Sequence, residues 1–109
     1  MNDCIFCKIA KGEIPSDKIY EDDVVLAFLD ISPKVPGHTL LIPKQHYPWF
    51  EDLPDELLDK VFRAAKRIAK DMKKDSSVGY VQVSVVGKDV PHAHVHLLPQ
   101  KGMSKASAL

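Results

Sequence analysis

Three histidines alternate with small or apolar residues in the segment His92-Ala93-His94-Val95-His96. If this segment forms a strand, the three imidazoles share one face, and Ala93 and Val95 share the other. An imidazole has an unperturbed pKa of about 6.5, so much of it is neutral at pH 7 and can attack phosphorus. A neighbouring imidazole can then donate a hydrogen bond or a proton. The alternation therefore indicates nucleophilic chemistry on a phosphorylated substrate.

The alternating histidines could instead belong to a solvated polar face or to a metal site. Two strand histidines at positions i and i+2 can bind one zinc ion. The Cα atoms of His92 and His96 are, however, roughly 13 Å apart at the usual rise of a strand. Zinc needs each ligand nitrogen within about 2.1 Å. One ion therefore does not account for all three histidines.

Cys4 and Cys7 form a Cys-x-x-Cys pair near the beginning of the chain. The sequence has no signal-peptide pattern and no apolar run long enough to span a bilayer, so we expect a cytoplasmic protein without a membrane segment. A lasting disulfide is not expected in that reducing compartment. The pair could bind a metal, act as a redox pair or be two buried thiols.

The composition limits the kind of partner. The 109 residues suffice for one compact domain, and 15 basic residues balance 15 acidic ones. A neutral balance does not predict binding to a nucleic-acid polymer, which normally needs a basic face. A small phosphorylated ligand needs only a local site.

The helices and strands that position the histidines are predicted from hydrophobic periodicity and from prolines that mark the ends of elements. Apolar residues at three- and four-residue intervals between positions 57 and 72 predict a long helix that begins at Pro54. A short helical turn is predicted at residues 6–11, and residues 39–42 are predicted to form a central strand. The other predicted strands cover residues 18–21, 24–30, 80–85 and 93–98. This pattern predicts an α+β domain with a mainly antiparallel sheet.

The chain resembles the histidine triad (HIT) family, whose signature is three histidines alternating with apolar residues. The resemblance covers nearly the whole chain. The matching segments are Cys4-Ile5-Phe6-Cys7-Lys8-Ile9, Gly12-Glu13-Ile14-Pro15, Phe28-Leu29-Asp30-Ile31-Ser32-Pro33, Pro36-Gly37-His38, Ile42-Pro43-Lys44 and Val90-Pro91-His92. The most similar branch is the Hint branch, whose members hydrolyse purine nucleoside phosphoramidates. A sister branch cleaves dinucleoside polyphosphates, and another transfers nucleotidyl groups.

The resemblance implies a fold and three catalytic roles. The fold would be HIT-like, with a five-stranded sheet, one long helix and a short N-terminal helix, in a domain at residues 1–101 with a tail at 102–109. His94 would be the nucleophile that forms a nucleotidyl-histidine intermediate, and His96 would contact the phosphate and assist the leaving group. His38 would support the orientation of His94. The family also implies a homodimer.

The resemblance further implies a nucleotide cleft. Asp30 would hold the ribose hydroxyls, which suits a carboxylate because it can accept two hydrogen bonds from a diol. The apolar cleft for the base would consist of Ile5, Phe6, Ile9, Phe28, Leu29 and Ile31. Plain core packing is the alternative for these six residues.

One loop departs from the family pattern. Relatives usually carry an Asn-x-Gly loop and several further residues before the last strand. Here Gly87-Lys88-Asp89 runs almost directly into Val90-Pro91-His92. The polar residues that contact the phosphate in relatives would therefore be missing here or replaced by Lys88 and Asp89.

Two histidines remain once the resemblance assigns His38, His94 and His96 to the active site. His46 and His92, together with Cys4 and Cys7, would complete a closed tetrahedral zinc site. Several bacterial relatives have such a site at matching positions. We expect a structural zinc ion here, which would hold the beginning of the strand that presents His94.

We therefore expect a nucleotide hydrolase that cleaves purine nucleoside phosphoramidates or related conjugates. A dinucleoside polyphosphate hydrolase is the first alternative and differs in its leaving group. A non-catalytic nucleotide-binding regulatory protein is the second, although binding alone does not require a nucleophilic imidazole.

Overall fold

The computed structural model describes residues 4–87 and 90–102. Helix α1 covers Ile5–Ala10, and helix α2 covers Asp55–Met72 with Pro54 as its N-cap. A short 3-10 turn at Phe50–Asp52 precedes α2. The strands are β1 at Lys18–Glu21, β2 at Val25–Leu29, β3 at Thr39–Pro43, β4 at Val78–Ser84 and β5 at Val95–Lys101.

The five strands form one sheet in the order β1-β2-β3-β5-β4, and every neighbouring pair is antiparallel. The predicted α+β class, the hairpin of β1 and β2 and the central position of β3 are therefore confirmed. Central β3 is buried along its whole length, as its continuous apolar run predicts.

Each face of the sheet carries its own apolar cluster. On one face α2 packs Val61, Ala65 and Ile68 against strand residues that include Leu41 and Leu97. On the other face α1 packs Phe6 and Ile9 against residues of β2 and β3. Because α1 and α2 cover the two faces, the central strands are apolar on both sides. Alternation along β5 then decides which of its side chains face α1.

The last strand begins later than predicted. β5 starts at Val95 and not at Ala93, so His92 and His94 precede the strand. The β3–β5 ladder ends with the pair Leu41 and Val95, because Pro43 has no N–H with which to extend it. The N–H of Ala93 instead donates to the carbonyl of Tyr47 at 2.6 Å.

Strand β5 ends at Lys101, and residues 103–109 lie outside the described residues. The boundary between a domain at 1–101 and a tail at 102–109 therefore stays a prediction. Neither described helix is long and apolar enough to cross a membrane.

Candidate active site

The three alternating histidines face the α1 side, although two of them precede β5. Ala93, Val95 and Leu97 are buried in the cluster beneath α2, as predicted. The rings of His92, His94 and His96 form a row in which His94 and His96 have centroids 5.0 Å apart. Phe6 of α1 lies edge-on against His94 at 5.1 Å. The alternation therefore continues beyond the end of the β-ladder.

A backbone carbonyl fixes the tautomer of His94. Nδ1 of His94 lies 2.7 Å from the carbonyl oxygen of His92. A carbonyl only accepts hydrogen bonds, so Nδ1 must carry the proton and donate it. In the neutral ring this leaves an unprotonated lone pair on Nε2, which is the form required of a nucleophile.

His38 is hydrogen-bonded to His96, and the ring of His96 in turn contacts that of His94. The N–H of Lys34 donates to Nδ1 of His38 at 3.2 Å, so a neutral His38 carries its proton on Nε2. That proton is donated to Nδ1 of His96 at 2.9 Å. His96 is thereby left with a proton on Nε2, ready to donate to a substrate oxygen or to a leaving group.

Burial keeps the two hydrogen-bonded histidines neutral. It lowers the pKa of His38, and the Lys34 charge lowers it further while Asp30 opposes the change. The pKa of His96 is lowered mainly by burial and also by the neighbouring His94 and His38. Oδ2 of Asp30 lies 3.7 Å from Nε2 of His38. Both rings are therefore neutral at pH 7, as their donor and acceptor pattern requires.

A second cluster brings together all four predicted metal ligands. Sγ of Cys4 and Sγ of Cys7 lie 3.2 and 3.4 Å from Nδ1 of His92. Nδ1 of His46 lies 3.2 Å from Sγ of Cys7. Nε2 of His92 donates to the carbonyl of Pro43 at 2.8 Å, which leaves Nδ1 unprotonated and directed at the thiols. The four ligand atoms all lie within 4.8 Å of one another.

This donor set fits a tetrahedral zinc ion. Ligand atoms bound to one zinc at usual bond lengths are about 3.3 to 3.8 Å apart, which is close to the spacing in the cluster. A carbonyl that holds the tautomer of a ligating histidine is a common outer partner of metal sites. Burial raises the pKa of the Cys4 thiol, so its thiolate needs a compensating positive charge.

The predicted nucleotide-binding residues fall into separate groups. Phe6, Ile9 and Phe28 are buried in the α1 cluster, and Phe6 packs edge-on against Phe28 at 5.7 Å. Asp30 lies beside His38. Ile5 and Ile31 expose their side chains. Lys88 and Asp89 lie outside the described residues.

Leu29 is not brought together with the histidines. Alternation along β2 turns Leu29 to the face opposite that of Phe28, so it lines a groove beside Met72 near the end of α2. Leu29 belongs to the predicted cleft because it lies in the same contiguous motif as Phe28 and Asp30. Its predicted contact with a base does not fit this placement.

Several residues at the site carried no signal in the sequence. The carbonyl groups of Pro43, Tyr47 and His92 fix rings or backbone, and a carbonyl has no sequence signature. Lys34 and residues of β4 line a cavity beside His96. Lys34 lies far from the histidine motif in sequence, and the register of β4 on β5 decides which β4 side chains lie beside His96.

Comparison with known proteins agrees with this geometry. The family model described as HIT domain matches residues 11–103. The chain belongs to the HIT family. The adenosine 5'-monophosphoramidase HNT1 of Saccharomyces cerevisiae is 46% identical over 99 residues, covering 90% of this chain and 63% of that relative. This HIT chain is a hydrolase.

Solved HIT structures superpose closely on the fold. A HIT family member from Bacillus subtilis has a TM-score of 0.87 and 41% identity, covering 94% of this chain and 77% of that chain. A Zn-bound histidine triad family protein from Mycobacterium smegmatis has a TM-score of 0.87 and 32% identity, covering 94% and 78%. The HIT-like fold is therefore confirmed.

The lowered pKa of His38 predicts a specific pH dependence of stability. Between that pKa and 6.5 the unfolded chain binds more protons than the folded one. The contribution of neutral His38 to the free energy of unfolding is therefore complete above pH 6.5 and is lost as the pH falls. We expect the free energy of unfolding, from urea titrations, to fall less steeply in His38→Gln than in the wild type between about pH 7.5 and 5.5. Lys66→Ala, on the exposed face of α2, should keep the wild-type slope. Equal slopes of the free energy of unfolding against pH in His38→Gln and wild type would contradict the lowered pKa of His38.

Proposed function

We propose that this chain hydrolyses purine nucleoside phosphoramidates or related nucleotide conjugates through a covalent intermediate on His94. The observation that carries the proposal is the 2.7 Å hydrogen bond from Nδ1 of His94 to the His92 carbonyl. It leaves Nε2 as a bare lone pair beside a protonated nitrogen of His96. The adenosine 5'-monophosphoramidase activity named for the relative from Saccharomyces cerevisiae supports the substrate class.

Each histidine has a distinct part in the proposed reaction. Nε2 of His94 bonds to the α-phosphorus while the bond from phosphorus to the leaving group breaks. The modified ring then carries a positive charge, which its Nδ1–H bond to the His92 carbonyl stabilises. Nε2–H of His96 donates to a phosphoryl oxygen or the leaving atom. Water then attacks phosphorus, restores His94 and releases the nucleoside monophosphate.

The nucleoside is proposed to bind beside α1. Asp30 lies next to His38, where its Oδ2 can accept hydrogen bonds from ribose hydroxyls, and its Oδ1 already accepts from the N–H of Ser32 at 2.9 Å. Phe6 and Phe28 form the apolar floor on this side of the histidine row. Ile5 and Ile31 have exposed side chains that a base can contact.

Structural zinc is proposed at Cys4, Cys7, His46 and His92. These ligands join α1, the segment after β3 and the segment before β5. A bound ion would supply a cross-link between three parts of the chain near the nucleophile. A reducing, cytoplasmic location would suit the thiolates.

A homodimer is proposed through the β4 edge of the sheet. β4 is the terminal strand in the sheet order, and an open edge offers N–H and C=O groups to another chain. Its exposed apolar side chains include Tyr80 and Val83, and Val85 and Val86 follow directly. Pairing with a second copy would cover both the edge and these side chains.

The catalytic proposal predicts different effects of two histidine substitutions. With adenosine 5'-phosphoramidate as substrate, His94→Ala should lower kcat by several orders of magnitude, because the covalent pathway is lost. His96→Ala should lose about 10² to 10⁴ fold, because an assisting hydrogen bond is removed. Lys66→Ala should retain the wild-type rate. Circular dichroism checks that all three variants are folded.

Two outcomes would contradict the catalytic proposal. A His94→Ala enzyme that kept the wild-type kcat would exclude the nucleophilic role. Faster wild-type cleavage of a dinucleoside tetraphosphate than of the phosphoramidate, at equal concentration, would favour the dinucleoside polyphosphate hydrolase.

The zinc proposal predicts a metal content and a change in stability. Protein purified without chelator should contain about one zinc ion per chain. Cys7→Ser should contain little zinc and melt about 10 °C lower, because binding energy at a structural site contributes to folding. A chelator should lower the Tm of the wild type and leave that of Cys7→Ser unchanged. Metal-free wild-type protein with a chelator-independent Tm would contradict the site.

A further inference from the structure

A cavity of about 490 Å³ adjoins His96 on the active-site face of the sheet. Its lining includes Gln82 and Ser84 of β4 and Gln100 of β5, and the loop before β3 contributes both Asp30 and Lys34. Ser84 pairs directly with His96 across the two strands. Their side chains therefore point to the same face as immediate neighbours.

The cavity extends across the sheet, from Asp30 after β2, past His38 and His96, to Ser84 of β4. The apolar cluster under α1 lies over β2 and β3, whereas Gln82 and Ser84 belong to β4 at the far edge. β5, which carries His96, lies between them. In the proposed function the base binds beside α1 and the phosphorus lies at His94 and His96. The ribose would then occupy the end of the cavity at Asp30, and the leaving group would extend over β4 at the other end.

The floor of the cavity offers hydrogen-bond donors. Nε2 of Gln100 donates to Oε1 of Gln82 at 3.3 Å, and Nε2 of Gln82 donates to Oγ of Ser84 at 3.5 Å. Because Ser84 accepts in this chain of bonds, its O–H is available to donate to a ligand. Such donors suit a negatively charged oxygen.

Lys34 contributes a positive charge at the same place. Its ammonium group lowers the pKa of both His38 and His96. Both rings line the cavity, so the charge of Lys34 acts on groups of the cavity wall. Asp30 is the carboxylate beside these rings, and both of its oxygens already have neighbours in Ser32 and His38. A ligand anion over β4 would therefore meet Lys34 and several neutral donors, with the Asp30 carboxylate at the opposite end of the cavity.

We propose that Lys34, Gln82 and Ser84 form a subsite for an anionic leaving group, so that the chain prefers nucleotide conjugates carrying a phosphate, sulfate or carboxylate beyond the reactive phosphorus. This inference rests on the proposed function, because that function sets where the phosphorus lies. It makes Lys34 a specificity-determining residue.

Calorimetric binding of AMP and ADP tests the subsite without turnover. The wild type should bind ADP about tenfold more tightly than AMP, because the second phosphate reaches Lys34. Lys34→Met should bring the ratio to about one with little change in AMP affinity, and Lys34→Arg should retain most of the preference. Lys66→Met, on the far side of the sheet, should keep the wild-type ratio.

A matched pair of substrates tests carboxylates in the same way. The alanine phosphoramidate of AMP should be cleaved with higher kcat/KM than the alaninamide analogue, and Lys34→Met should remove the difference. If Lys34→Met changes only the ratio of ADP to AMP affinity, the subsite binds phosphate. If it changes only the ratio of kcat/KM for the alanine and alaninamide substrates, the subsite binds carboxylate. Unchanged ratios in both experiments, with AMP bound and substrates cleaved, would overturn the subsite alone. Failure of the wild type to bind AMP or cleave either conjugate would overturn the proposed function and the subsite together.

Discussion

The hydrogen bond between Nδ1 of His94 and the His92 carbonyl is the interaction on which the active site depends. It is 2.7 Å long and joins two residues that lie just outside the β-ladder. Among the described residues, no pair of the β-ladders includes His92. The position of the carbonyl depends instead on the His92 ring, which donates to Pro43 and faces the thiols, and on the neighbouring bond from Ala93 to Tyr47.

The two histidine clusters are therefore parts of one arrangement. The ring of His92 belongs to the cluster with Cys4, Cys7 and His46, while its carbonyl accepts from Nδ1 of His94, the proposed nucleophile. On the other side of His94, the neutral His38 orients His96 through a single hydrogen bond. A backbone carbonyl therefore sets the tautomer of His94 directly, and the Lys34 N–H sets that of His96 through the His38 ring.

The sequence predicts those features that depend on local periodicity. The 3.6-residue pattern of α2 and the apolar run of β3 were sufficient because burial on one or both faces decides them. Strand order could not be read in this way, so the proximity of Lys34 and Ser84 to His96 was not predicted. The beginning of β5 was misplaced because it depends on Pro43, a residue of another strand. Leu29 lies on the face opposite Phe28, and the alternation of faces along β2, not the contiguous motif, determines that placement.

The central claim is that His94 presents an unprotonated Nε2 because its Nδ1 donates to the His92 carbonyl. Long-range ¹H–¹⁵N correlation NMR of histidine-labelled protein, at about pH 7.5, where an ordinary imidazole is neutral, reports the tautomer of each ring directly. The predicted result is a neutral His94 protonated at Nδ1 and a neutral His96 protonated at Nε2. A neutral His94 protonated at Nε2, with a bare Nδ1, would contradict this claim.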